Sequence, residues 1–195
     1  WRGLAQRFAR LQRRGDIVVH SYDWIQGYLH SYLPGTAEPD YLFLVGAGST
    51  ELERAADSRS RVWFLDYQTT PFAVGNRAGE WMRTRYGLAT SEAFGNAQLT
   101  LFARPLETKT IDESAQFTNG IGLRWGAIAA EATPGDALAV ELIWRAPPTP
   151  AGTYQVFLHL MDGDGRLQAG RDGGPVNDLR PTVMWQPGER VRSAH

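Results

Sequence analysis

Residues 154–189 read YQVFLHLMDGDGRLQAGRDGGPVNDLRPTVMWQPGE. Tyr154, Val156, Leu158 and Leu160 alternate with Gln155, Phe157, His159 and Met161. That is the two-residue period of a strand, apolar on both sides, and it predicts a strand covered on both faces. Asp162-Gly163-Asp164-Gly165 then supplies residues that tolerate positive φ in a turn. Arg166 to Ala169 can return as the partner strand. Pro175, Pro181, Pro187 and Gly188 interrupt the remainder, where Val183 and Trp185 alternate and no helix is expected.

The pattern upstream is of the same kind. Ile121, Leu123 and Trp125 alternate, then Leu138, Val140, Leu142 and Trp144, with a Pro134-Gly135-Asp136 turn between them. Short alternating strands with Pro/Gly turns predict an antiparallel β-sandwich over residues 117–195. Residues 105–116 are polar and charged and read as a linker or edge.

Residues 1–104 carry a different period. Trp1, Leu4, Phe8 and Leu11 recur at helical spacing among arginines, up to Gly15. Ile17–His20, Tyr41–Val45, Arg61–Leu65 and Gln98–Phe102 are apolar runs of strand length. Helices fit between them, over Trp24–Tyr32 with Asp23 as cap, Glu51–Ser58 and Gly75–Tyr86. Alternating strands and helices predict a small α/β domain, its mainly parallel sheet flanked by helices.

The chain has 195 residues, 43% hydrophobic and 21% charged, an ordinary globular composition. A net charge of −1 argues against a general nucleic-acid or anionic-membrane binder. The absence of cysteine excludes disulfides and thiolate metal sites. No apolar run approaches the ~20 residues of a membrane span. The start at Trp1 rather than Met reads as a piece of a longer protein.

Several residue sets invite chemistry. Gly46, Gly48, Ser49 and Thr50 lie between a strand and a helix, where free backbone N–H groups favour an anion. The dinucleotide pattern is incomplete, because Glu51 stands at its last glycine, so a plain strand–turn–helix connection competes. Asp162-Gly163-Asp164-Gly165 resembles the start of a calcium loop, but the later ligands are missing and a hairpin turn is expected. His20, His30, His159 and His195 show no metal-ligand spacing; His159 can meet Asp172 across a hairpin. Glu131 and Glu141 carry no signal as a carboxylate pair. No nucleophile elbow is present, so no catalytic residue, metal or cofactor is assigned. Trp185 with Arg171, Asp172 and Asn177 could stack on a sugar ring and bond its hydroxyls.

Three stretches together resemble the extracytoplasmic C-terminal region of bacterial membrane glycosyltransferases of the dolichyl-phosphate-mannose protein mannosyltransferase kind. Trp1-Arg2-Gly3-Leu4-Ala5 through Gly15-Asp16-Ile17-Val18-Val19 is similar to the helix and strand after the last membrane span. Arg61-Val62-Trp63-Phe64-Leu65 resembles a central strand. Val156 to Asp162, Arg171-Asp172, Arg180-Pro181-Thr182 and Trp185 to Glu189 resemble an appended β-sandwich. The resemblance implies a non-catalytic accessory part, outside the membrane and tethered to it. It implies the membrane domain of the same parent chain as partner, and a glycan or lipid-linked sugar as ligand. It also implies an acid near position 193 and further strands after Glu189. Ser193 stands there instead, which reads as a truncated sandwich. Two other functions remain open: a free-standing carbohydrate-binding module and a small enzyme using nucleotides or sugar nucleotides.

Overall fold

The computed structural model describes residues 1–33, 39–44, 49–67, 74–105, 107–111, 114–149 and 152–195. The chain has mixed α/β content. Its N-terminal part runs α1 (Arg2–Leu11), β1 (Ile17–His20), α2 (Trp24–Tyr32), β2 (Asp40–Phe43), α3 (Ser49–Asp57), β3 (Arg61–Tyr67), α4 (Val74–Arg85), β4 (Gly87–Phe94) and β5 (Ala97–Ala103). These strands form one sheet in the order β2-β1-β3-β5-β4.

Each helix forms where an apolar stripe meets the sheet. Leu4, Ala5 and Phe8 of α1 and Ile25 and Leu29 of α2 pack on Val18, Trp63 and Leu65. Leu52 and Ala56 of α3 and Ala78 and Met82 of α4 pack on Ile17, Val19, Val62 and Phe64 of the other face. Successive strand residues therefore feed opposite layers, as the pleat requires. Asp23 accepts the Trp24 N–H at 2.8 Å and so starts α2.

The sheet is mixed rather than mainly parallel. β1 pairs in parallel with β2 and β3, whereas β3–β5 and β4–β5 are antiparallel. The difference comes from β4, a strand the sequence pattern hides. Its residues are alternately half-buried and exposed, mostly polar or small, and it turns through Gly95-Asn96 straight into β5. Gly95 takes φ 62°, which a tight hairpin needs.

The C-terminal part contains β6 (Thr108–Ile111), β7 (Ala115–Gln116), β8 (Gly122–Ala129), β9 (Val140–Arg145), β10 (Val156–Met161), β11 (Leu167–Gly173) and β12 (Arg190–Ala194). β12-β9-β8-β6 is antiparallel, with β7 also on β8, so residues 105–116, read from the sequence as a linker or edge, contribute β6 and β7 to this sheet. β10 and β11 pair with each other as a second sheet. Ile121, Leu142, Trp144, Val156, Val176, Trp185 and Val191 share one apolar cluster.

Three expectations fail here for local reasons. β10 is not covered on both sides: Val156 is buried, but Phe157, Leu160 and Met161 are exposed. Trp125 does not follow Leu123 inward. The register shifts by one residue between them, and such a bulge re-aims the next side chain. Thr182–Met184 forms a single 3-10 turn where no helix was expected. Thr182 is buried beneath it, while Val183 and Met184 face outward.

Candidate functional site

β1 lies between β2 and β3, and α2 and α3 cover opposite faces of the sheet. The strand order thus divides at the carboxyl ends of β1 and β3, where open α/β sheets place ligands. His20, Ser21 and Asp66 occupy that point. Ser21 Oγ donates to Asp66 Oδ1 at 3.0 Å. His20 Nδ1 lies 2.8 Å from the Tyr22 carbonyl, which can only accept, so Nδ1 holds the proton. Nε2 is then a lone pair without a partner among the described residues. Burial lowers the His20 pKa, against the opposing pull of the Tyr22 carbonyl and Asp23, so the ring is neutral at neutral pH.

Asp66 also faces the α4 side, where a cleft of about 460 Å³ opens. Phe64 and Asp66 of β3, Gln98, Thr100 and Phe102 of β5, and Glu80 and Arg83 of α4 line it together with Asn177–Leu179. Thr100 Oγ1 and Gln98 Nε2 both reach Ser91 Oγ, at 2.9 and 2.8 Å. Three carboxylates therefore face one guanidinium over an aromatic floor. No serine, cysteine or histidine is among the described residues that line it. The cleft can hold hydroxyls or a cationic group.

The far wall is a strained turn. Val176, Asn177 and Asp178 have φ of 56°, 51° and 68°, three left-handed residues in succession. Asn and Asp tolerate that region, whereas a β-branched valine is held there against its preference. The compensation is visible in the contacts. Asn177 Nδ2 donates to the Arg83 and Tyr86 carbonyls, both at 2.8 Å, and its Oδ1 accepts the Leu88 N–H at 3.2 Å. The end of α4, whose last carbonyls have no partner within the helix, is thus capped from the C-terminal part of the chain. Asn177→Ala is expected to cost about 2–3 kcal/mol, the sum of three modest hydrogen bonds. Urea denaturation measures it, and an unchanged midpoint would show that the cap is dispensable.

The Val176 N–H donates to Ser193 Oγ at 2.9 Å, and Ser193 Oγ lies 2.7 Å from His195 Nε2. A hydroxyl against an imidazole looks like a nucleophile and its base. Ser193 is 0% exposed, however, so the pair serves to fix the turn. Burial first, and then Arg171, lower the His195 pKa to about 4, against Asp178. A depressed histidine binds its proton more weakly in the folded than in the unfolded chain. Its stabilising contribution is complete above pH 6.5 and is lost as pH falls towards about 4, a loss of about 3 kcal/mol. His195→Gln is expected to flatten the decline of the urea midpoint over that interval; an unchanged slope would remove the assignment.

No family model, curated protein or solved structure matches the chain. The site therefore stands on its own geometry.

The residues singled out in the sequence are dispersed. Gly46 and Gly48 lie outside the described residues; Ser49 and Thr50 open α3. Trp185 is 3% exposed and its Nε1 donates to the Arg180 carbonyl at 3.0 Å, so it offers no open face for a sugar. It only edges a recess of about 120 Å³ with Phe117, Trp144 and Tyr154. Asn177 faces α4, while Arg171 and Asp172 lie on β11; neither of these two lines that recess. Asp172 does meet His159, at 3.3 Å, with both half-exposed. Asp162 Oδ1 accepts the N–H groups of Asp164 and Arg166 at 3.0 and 2.9 Å, which is turn chemistry. Asp66, Glu80, Arg83, Gln98 and Asp178 carried no sequence signal. The Gly173-Gly174-Pro175 run before two left-handed-tolerant residues was the one local hint of an unusual turn.

Proposed function

We propose that the chain is a non-catalytic, extracytoplasmic portion of a membrane glycosyltransferase that draws on a polyprenyl-phosphate-linked sugar, and that it positions the acceptor or glycan. The observation in support is the cleft beside α4. Its volume of about 460 Å³ suits a small ligand. Towards neighbouring hydroxyls its carboxylates can accept paired hydrogen bonds, its guanidinium can donate them, and its amide can do both. In this reading the C-terminal sheets form a β-sandwich, and the glycan surface moves from Trp185 to the cleft. The parent chain's membrane domain is the partner.

Titration calorimetry of the intact chain against a panel of oligosaccharides tests this. Binding is expected, with a roughly ten-fold loss in Arg83→Ala, the worth of one charge-assisted hydrogen bond. A panel that gives no heat would sink the proposal. A second reading, a nucleotide- or sugar-nucleotide-using enzyme, draws on the strand order around β1 and β3. Thermal stabilisation by such a ligand would favour it, since any ligand of the native state raises stability.

A further inference from the structure

The α2 helix carries Trp24, Tyr28 and Tyr32 at i, i+4 and i+8, exposed by 38%, 43% and 41%. Aromatic residues at that spacing on a short helix ordinarily face the core; there Ile25 and Leu29 do so instead. Trp1, at the start of α1, stacks on Tyr28 with centroids 5.0 Å apart and on Tyr67 at 5.9 Å. Trp24 stacks on Tyr22 and meets Trp1, Tyr28 and Tyr67 edge-on.

Two properties separate this cluster from the other exposed apolar residues. First, it gathers Trp and Tyr alone, rings with one apolar body and one polar atom, whereas the β10–β11 hairpin and the 3-10 turn expose Phe, Leu, Val and Met, and the other exposed Trp and Tyr, Trp125 and Tyr154, lie apart from it in the C-terminal part. Trp and Tyr are the residues of a boundary that is apolar on one side and wet on the other. Second, Trp1, Trp24 and Tyr28 each stack a ring face on another ring of the group, with Tyr22 and Tyr67, so part of the flat surface a sugar would stack on is already used. That favours an interface over a glycan.

Charge points the same way. α1 contains Arg2, Arg7 and Arg10, and neither α1 nor α2 contains an acidic residue within its bounds, the exposed Asp23 at the α2 cap being the one acid that adjoins them in sequence. Arg7 pairs with Glu92, but the exposed Arg2 and Arg10 have no ion pair among the described residues. On the opposite face of the sheet α3 and α4 together carry Glu51, Glu53, Asp57 and Glu80 against Arg54, Arg77, Arg83 and Arg85, so that face is balanced in charge rather than basic. The net charge of −1 averages over this asymmetry and conceals it.

We infer that the α1–α2 side of the molecule docks on the headgroup region of an anionic lipid bilayer, with Trp1, Trp24, Tyr28 and Tyr32 at the boundary and Arg2 and Arg10 against the lipid phosphates. The inference does not rest on glycan binding in the cleft, and the vesicles used to test it carry no sugar.

Co-sedimentation of the intact chain with phosphatidylcholine vesicles, with and without phosphatidylglycerol, provides the test. Binding is expected to require phosphatidylglycerol and to weaken with salt. Arg2→Gln and Arg10→Gln are each expected to weaken it roughly five-fold. Trp24→Ser with Tyr28→Ser is expected to abolish it, whereas Phe157→Ser with Leu167→Ser on the hairpin leaves it intact. The arginine variants alter exposed residues only, so they report even if the aromatic pair cannot be removed without unfolding. No sedimentation with anionic vesicles, or equal binding by the arginine variants, would overturn the inference.

Discussion

Replacing Asp16 by alanine is expected to destabilise the chain by about 3–5 kcal/mol, the cost of breaking a buried ion pair from one side. Asp16 is 2% exposed and stands just before β1. Its carboxylate accepts the Arg13 N–H at 2.9 Å, Arg61 Nε at 2.9 Å and the buried Trp63 Nε1 at 2.7 Å. Alanine leaves the largely buried Arg61 with the Leu11 carbonyl, and Asp136 at 3.9 Å, as its remaining partners, and strands the indole N–H. The same arginine region ties the two parts of the chain together, because Arg13 Nε donates to Asp136 at 2.9 Å. Thermal unfolding should fall by roughly 10 °C or more. Asp16→Asn keeps the shape and one acceptor and should lose less. Equal stability of Asp16→Ala and the parent would mean that this network is incidental.

Trp185→Ala is expected to cost about 3–5 kcal/mol, as removal of a large core aromatic does. Trp185 packs in the cluster of Ile121, Trp144, Val156 and Val191, and its one polar atom is already bonded to the Arg180 carbonyl. The variant should unfold at markedly lower urea. It should lose ligand binding only with the fold. A variant that keeps its midpoint and yet loses glycan binding would restore Trp185 as a surface residue.

The contrast between these two residues shows what the sequence made legible. The Ile17–His20 and Arg61–Leu65 runs are apolar because both faces of those strands are covered, so they could be read directly. The helical spacing of Leu4 and Phe8 likewise reports a buried stripe. β4 was illegible because an edge strand of small and polar residues has no apolar face to announce it. Residues 154–161 misled in the opposite direction. Their alternation is real, and Val156 is buried, but nothing among the described residues covers Phe157 or Met161. Trp125 shows a third limit, since a one-residue bulge reverses every inference from alternation that follows it.

The candidate site was less legible than the fold. Asp66, Arg83, Gln98 and Asn177 come from β3, α4, β5 and the turn after β11, and no spacing along the chain connects them. Asn177 was noticed for its polarity and assigned to a sugar, while its side chain is used in capping α4. Trp185 was noticed for its size, which is also what buries it. Chemistry assembled from four segments becomes visible only when the register and the left-handed turn are known.

In the proposed function the ligand is recognised in the cleft between α4, β3, β5 and Asn177–Leu179. Backbone amide chemical shifts of the isotopically labelled chain, followed through titration with the oligosaccharides of the panel, test that most directly. The predicted result is a contiguous set of shifts at Asp66, Glu80, Arg83, Gln98, Thr100 and Asp178. Shifts confined instead to Arg171, Asp172 and the residues around Trp185 would contradict it.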